Sequence, residues 1–156
     1  MFRLSRAVAC LLILAVAAPL SGQDDDVPYW ASIRSEVVNM RVGPGTTYRI
    51  DWVYKRPLLP VKVLRRKEGW RLVEDPDGTQ GWMTGGLLSR KRTIIVTGEG
   101  LADMRKEAAG SSPLLWRLEP GVVAALGECT AGWCEVEIRG HKGFVRGDRL
   151  WGTGEP

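Results

Sequence analysis

One histidine is all that this chain of 156 residues offers, and that scarcity excludes more chemistry than any motif supports. His141 stands alone in a glycine-flanked turn. A hydrolase triad therefore has one candidate base with nothing obvious to orient it, and a zinc site would be short of ligands. Cysteine is nearly as scarce: of three, Cys10 lies in an N-terminal apolar run. Strong helix-forming runs are missing after residue 22, and no apolar run reaches the roughly 20 residues that a membrane span needs. Paired carboxylates do occur, as in Glu135 and Glu137. They are two residues apart on one face of a predicted strand, in a domain too small for a sugar cleft. The expectation is a protein that is not an enzyme and uses no metal and no cofactor.

What is present begins with a targeting pattern. Arg3 and Arg6 precede the apolar run Ala7–Ala18, and Pro19-Leu20-Ser21-Gly22 follows. This predicts a secretory signal peptide over 1–22, an exported product in the periplasm or cell envelope, and no membrane span after cleavage. Residues 23–30 read as a flexible acidic leader. Without Arg3 and Arg6 the remainder carries 20 basic against 18 acidic side chains. An exported chain so close to balance is a poor candidate for nucleic acid.

The chain then says the same thing twice. Asn39-Met40-Arg41 opens a segment that runs through Pro57, Gly69-Trp70, Gly81-Trp82 and Leu88. Asp103-Met104-Arg105 opens another, through Pro120, Gly132-Trp133, Gly143-Phe144 and Leu150. The offset is 64 at the start, 63 from the proline to the first tryptophan, and 62 at the last glycine–aromatic pair. A unit of about sixty residues is a small domain rather than a solenoid repeat. The expected boundaries are 31–90 and 93–151, with 152–156 as a frayed tail.

Short alternating runs such as Val61–Arg65, separated by strong turns such as Asp75-Pro76-Asp77-Gly78, predict five or six strands per copy. So many short strands in sixty residues favour a closed or nearly closed barrel over a flat sheet with bare edges. In copy two, Cys129 and Cys134 flank a hairpin turn, where a disulfide is expected in an oxidising compartment. The loop they close is so short that its contribution is roughly 2 kcal/mol.

The series N-M-R-V-G-P-G-T-T-Y, E-G-W-R-L-V and G-T-Q-G-W-M resembles the bacterial SH3-like domain, and copy two matches with A-G-W-C-E-V and H-K-G-F-V. The layout is similar to exported tandem SH3-like proteins of proteobacteria. The resemblance implies an all-β fold of two tandem SH3-like β-barrels that recognise a peptide, a peptidoglycan fragment or an envelope partner protein. Copy two departs from it where Lys106–Gly110 replaces V-G-P-G-T.

Function then rests on residues that folding does not require. Trp70 and Trp133, and Trp82 and Phe144, recur at matching places and read as packing. Tyr48, Trp52 and Tyr54 cluster beside the glycine–proline loop of copy one, and with Arg41 and Pro44 they are the groove candidates. Under the later register Trp52 and Tyr54 match Leu115 and Arg117, so copy one carries more aromatics and is the expected binder. Lys62, Arg65, Arg66 and Lys67 are candidates for a face that meets anions, with a solvated, edge-protecting face as the alternative. A rival reading gives the aromatics to a domain or oligomer interface, which makes the protein a structural scaffold of the envelope. In that reading Trp116 and Trp151 are buried between the domains.

Overall fold

The computed structural model describes residues 27–156; the expected signal peptide and most of the leader lie outside the described residues. Copy one contains β1 (Tyr29–Ile33), β2 (Val38–Arg41), β3 (Ile50–Tyr54), β4 (Pro60–Lys67), β5 (Trp70–Glu74), β6 (Gln80–Thr84) and β7 (Leu88–Ser89). Copy two contains β8 (Thr93–Val96), β9 (Ala102–Arg105), β10 (Leu114–Leu118), β11 (Val123–Thr130), β12 (Trp133–Ile138), β13 (His141–Arg146) and β14 (Leu150–Trp151). The strand order β3-β2-β6-β5-β4-β1-β7 is repeated strand for strand as β10-β9-β13-β12-β11-β8-β14. Each sheet rolls around its own core, so the chain is all-β with two tandem small barrels, as expected. The first strand starts at Tyr29, inside the stretch read as leader.

The two motifs that revealed the repeat are halves of one packing unit. Met40 on β2 lies over Gly81 on β6: a side chain at Gly81 would stand 2.4 Å from Met40 Cγ. Gly143 stands in the same relation to Met104, whose methyl would be 2.7 Å away. Both methionines are fully buried. The aromatic after each glycine points the other way, so Trp82 and Phe144 are only half-buried, each paired across the strands with the repeated arginine (Arg41 and Arg105). Trp133 is buried at 9% exposure, whereas Trp70 is half-buried.

Strand pairing also corrects the register of the repeat. Met40 pairs with Trp52 and Met104 pairs with Trp116. Trp52 therefore corresponds to Trp116, and Tyr54 to Leu118, rather than to Leu115 and Arg117. The residue missing from copy two falls after this strand, between Leu118 and Pro120. Just beyond, Leu58 adopts a φ of 66°, where copy two has Gly121 at 90°; their amides bond the equivalent carbonyls of Ile33 and Val96.

The barrels are joined rather than strung. Ile95 belongs to the core cluster of copy one, and Val123 and Trp151 pack against it. Trp30 and Trp151 meet edge to face with centroids 4.8 Å apart. The tail is not frayed: Trp30 Nε1 donates to the Gly154 carbonyl at 3.1 Å, and an Arg92 amino group donates to the Gly152 carbonyl at 2.9 Å. Gly152 makes this possible, because at φ 106° it sits where a side chain would stand 2.6 Å from the Thr93 carbonyl.

Candidate functional site

The site grows out of one buried hydrogen bond. Tyr54 ends β3 with its ring in the core of copy one, 7% exposed, and its hydroxyl donates to Asp75 Oδ2 at 2.6 Å. Asp75 opens the turn between β5 and β6, and its other oxygen accepts the amides of Asp77 at 3.0 Å and Thr79 at 2.8 Å. Burial, reinforced by that carboxylate, pushes the Tyr54 phenol well above its ordinary range. An aspartate followed by Pro76-Asp77-Gly78 is the sequence reason for the turn, since its side chain can bond the backbone two residues on. The tyrosine then fastens the turn to β3.

Between this turn and copy two lies a cleft of about 400 Å³. Leu59 and Ile95 give it apolar surface, and Trp52 lies along it with 61% of its surface exposed. Lys55, Arg56 and Asp77 bring charge of both signs. Arg56 also reaches across the junction, its guanidinium donating to the Gly121 carbonyl. Copy one thus supplies all of the lining except Ile95, and Arg56 ties that wall to copy two.

Such a lining can hold a ligand but is poorly suited to acid–base chemistry. Asp75 accepts three hydrogen bonds through its two oxygens, and Tyr54 holds its proton against that carboxylate. Among the described residues, no three His, Cys, Asp or Glu side chains gather as a metal would require. An exposed indole beside apolar side chains and fixed polar groups is what a small recognition site needs.

Of the groove candidates, only Trp52 and Tyr54 line this cleft, and Tyr54 does so from the core. Tyr48 lies elsewhere, over the glycine–proline loop: a side chain at Gly43 would stand 2.3 Å from its ring. Arg41 donates to the Tyr48 carbonyl at 2.6 Å, as Arg105 donates to the Ser112 carbonyl at 2.8 Å. These repeated arginines brace the first loop of each copy, and half-buried Pro44 belongs to that loop. Leu59, Asp75, Thr79 and Ile95 were not singled out from the sequence. The turn signal at Asp75 was visible; the participation of Ile95 depends on how the barrels dock.

The basic residues do not form a single face. A register shift between Val63 and Arg65 breaks the alternation along β4. Lys62 is half-buried, 3.4 Å from Glu74 and over the Trp30 ring, while Arg65 and Lys67 are exposed. Arg66 instead approaches Tyr29, 5.1 Å from its ring centre. Trp116 is not buried between the domains: it is 40% exposed and meets His141 edge to face at 4.6 Å. Trp151 is at the junction, so the two tryptophans that would mark a scaffold divide. Cys129 and Cys134 form the expected disulfide, with Cα atoms 4.0 Å apart.

A family model described as bacterial SH3 domain matches residues 34–90 and again 98–152. The chain is 20% identical over 158 residues to the Bacillus subtilis (strain 168) protein named "Putative N-acetylmuramoyl-L-alanine amidase YrvJ". That match takes in 94% of this chain but 30% of the relative, so the chain spans less than a third of its length. Among solved structures it is similar to NlpC2 of Trichomonas vaginalis, at 13% identity and a TM-score of 0.36, over 80% of this chain and 48% of that one. It is also similar to an NlpC/P60 family protein from Bacillus cereus ATCC 10987, at 12% identity and a TM-score of 0.36, over 79% and 56%.

Proposed function

Because the chain belongs to the bacterial SH3 domain family, we propose that it is a non-enzymatic recognition module of the cell envelope. Its ligand is a wall-derived peptide or peptidoglycan fragment, held in the cleft between the barrels. The observation that carries this reading is the exposed Trp52 ring beside a cleft that copy one lines and Ile95 of copy two completes. The wall amidase named among the relatives supports the ligand class, since a domain of this family within such a protein would hold the substrate while another part acts on it. Export to the periplasm or envelope belongs to the same proposal and fits a disulfide in copy two.

The deciding experiment is cosedimentation of the full chain with purified, insoluble peptidoglycan. Trp52→Ala is expected to weaken binding by about thirtyfold or more, the lower bound for a hot-spot aromatic. Trp116→Ala, the equivalent ring in copy two, is expected to leave it nearly unchanged. Equal losses at both would move recognition out of the junction and onto the repeated β3/β10 position. No retention of the wild-type chain would remove peptidoglycan from the reading.

A further inference from the structure

Four charged side chains line the cleft beside Trp52, and two of them are already engaged. Arg56 donates to the Gly121 carbonyl of copy two, and Asp75 accepts the Tyr54 hydroxyl and the amides of Asp77 and Thr79. Lys55 and Asp77 remain. Both are exposed, and among the described residues neither side chain takes part in a hydrogen bond or an ion pair. The cleft therefore presents one cation and one anion that do not satisfy each other.

The segments that bear these two charges are held in place. Lys55 directly follows Tyr54, and Asp77 belongs to the turn that Asp75 organises through its amides. The Tyr54–Asp75 hydrogen bond, at 2.6 Å, ties one segment to the other. Copy two shows that folding does not require this arrangement. It keeps the indole as Trp116, but strand pairing places Leu118, Glu119 and Ile138 where copy one has Tyr54, Lys55 and Asp75. Its shorter turn, Arg139-Gly140, has no aspartate at all.

Resting on the reading that this cleft holds a wall-derived peptide, we propose that it selects a zwitterionic one, with a free ammonium and a free carboxylate. The ammonium meets Asp77 beside Trp52, since an indole face attracts cations as a carboxylate does. The carboxylate meets Lys55, and Leu59 and Ile95 offer apolar contact to the carbon skeleton between the charges. A purely anionic ligand would face Asp77, and a purely cationic one would face Lys55 and Arg56; like charges brought together in this way reject a partner. A peptide whose ammonium has been consumed in an amide cross-link is then a poor ligand, so the chain distinguishes uncross-linked peptides from cross-linked ones.

The test is calorimetric titration of the full chain with the soluble peptides that an amidase releases from purified peptidoglycan. They are used as released, after acetylation of their amines, and after amidation of their carboxylates. Saturable binding is expected for the untreated peptides, with about a fivefold loss for each blocked form, the upper range for an exposed ion pair. Asp77→Asn should weaken the untreated peptides by about fivefold and leave the acetylated ones unchanged. Lys55→Gln should do the same with respect to the amidated ones. This crossed pattern is what a direct contact gives, because removing either partner removes the same interaction. Glu119→Gln, at the copy-two counterpart of Lys55, should change nothing. Equal affinity for blocked and untreated peptides overturns the proposal while leaving the wall reading intact. An Asp77→Asn loss that is the same for acetylated and untreated peptides also overturns it, because the aspartate would then act through the turn. No binding of any soluble form overturns it as well, and retention of the same preparation on insoluble peptidoglycan then shows whether the wall reading stands.

Discussion

Tyr54 shows how one side chain can belong to both the core and the site. Its ring is buried and its hydroxyl meets Asp75 at 2.6 Å. Because the folded protein holds the phenolic proton more tightly than the unfolded chain does, this tyrosine's stabilising contribution is intact below about pH 10 and declines as the pH rises beyond it. Tyr54→Phe is expected to cost about 1.5–3 kcal/mol at neutral pH, the range for a hydrogen bond to a charged group. It should also flatten the loss of stability above pH 10 in a denaturant series. A variant with unchanged alkaline dependence would show that another group governs that limb. The sequence marked Tyr54 as a groove aromatic, because no local signal tells a ring facing the core from one facing a ligand. The counterpart Leu118 carries that information, but only once the register is right.

At the scale of elements, the pairing of β2 with β6 links the two motifs of the repeat. Gly81→Ala is expected to cost about 2–3 kcal/mol, as overpacking of a tight core does. The loss should be strongly non-additive with Met40→Ala, since the methionine is what the new methyl would strike. Additive losses in a double-mutant cycle would separate the motifs. The strands, the turns, the disulfide and the barrel class were legible, because alternation, Gly and Asp-Pro signals, and cysteine spacing are all local. The phase of β4 was not: the shift after Val63 turns Arg66 toward Tyr29, and nothing in V-K-V-L-R-R announces it. The register of β10 was hidden for a similar reason. Leu114–Leu118 offers apolar residues at either offset, and only pairing of Met104 with Trp116 decides between them.

At the scale of the whole molecule, the junction decides what the chain can do. Trp30, Trp151 and Ile95 close it, and Ile95 also lines the cleft beside Trp52. The wild-type chain is expected to unfold in a single calorimetric transition. Trp30→Ala should separate the barrels into two transitions while removing about 3–5 kcal/mol of packing. A single transition in that variant would mean that the barrels are coupled elsewhere. None of this docking could be read from the sequence, where residues 29–30 passed for leader and 152–156 for tail.

The clasp between Trp30 and the Gly154 carbonyl has a mechanical consequence. It brings the two ends of the described chain side by side, with Pro28 and Pro156 bordering one recess. A pull applied between these ends would load the clasp and the Arg92 contacts first. The strand ladders of either barrel would carry tension only after those contacts parted. Under load the protein would lengthen by releasing its tail and then its junction before either domain unravelled.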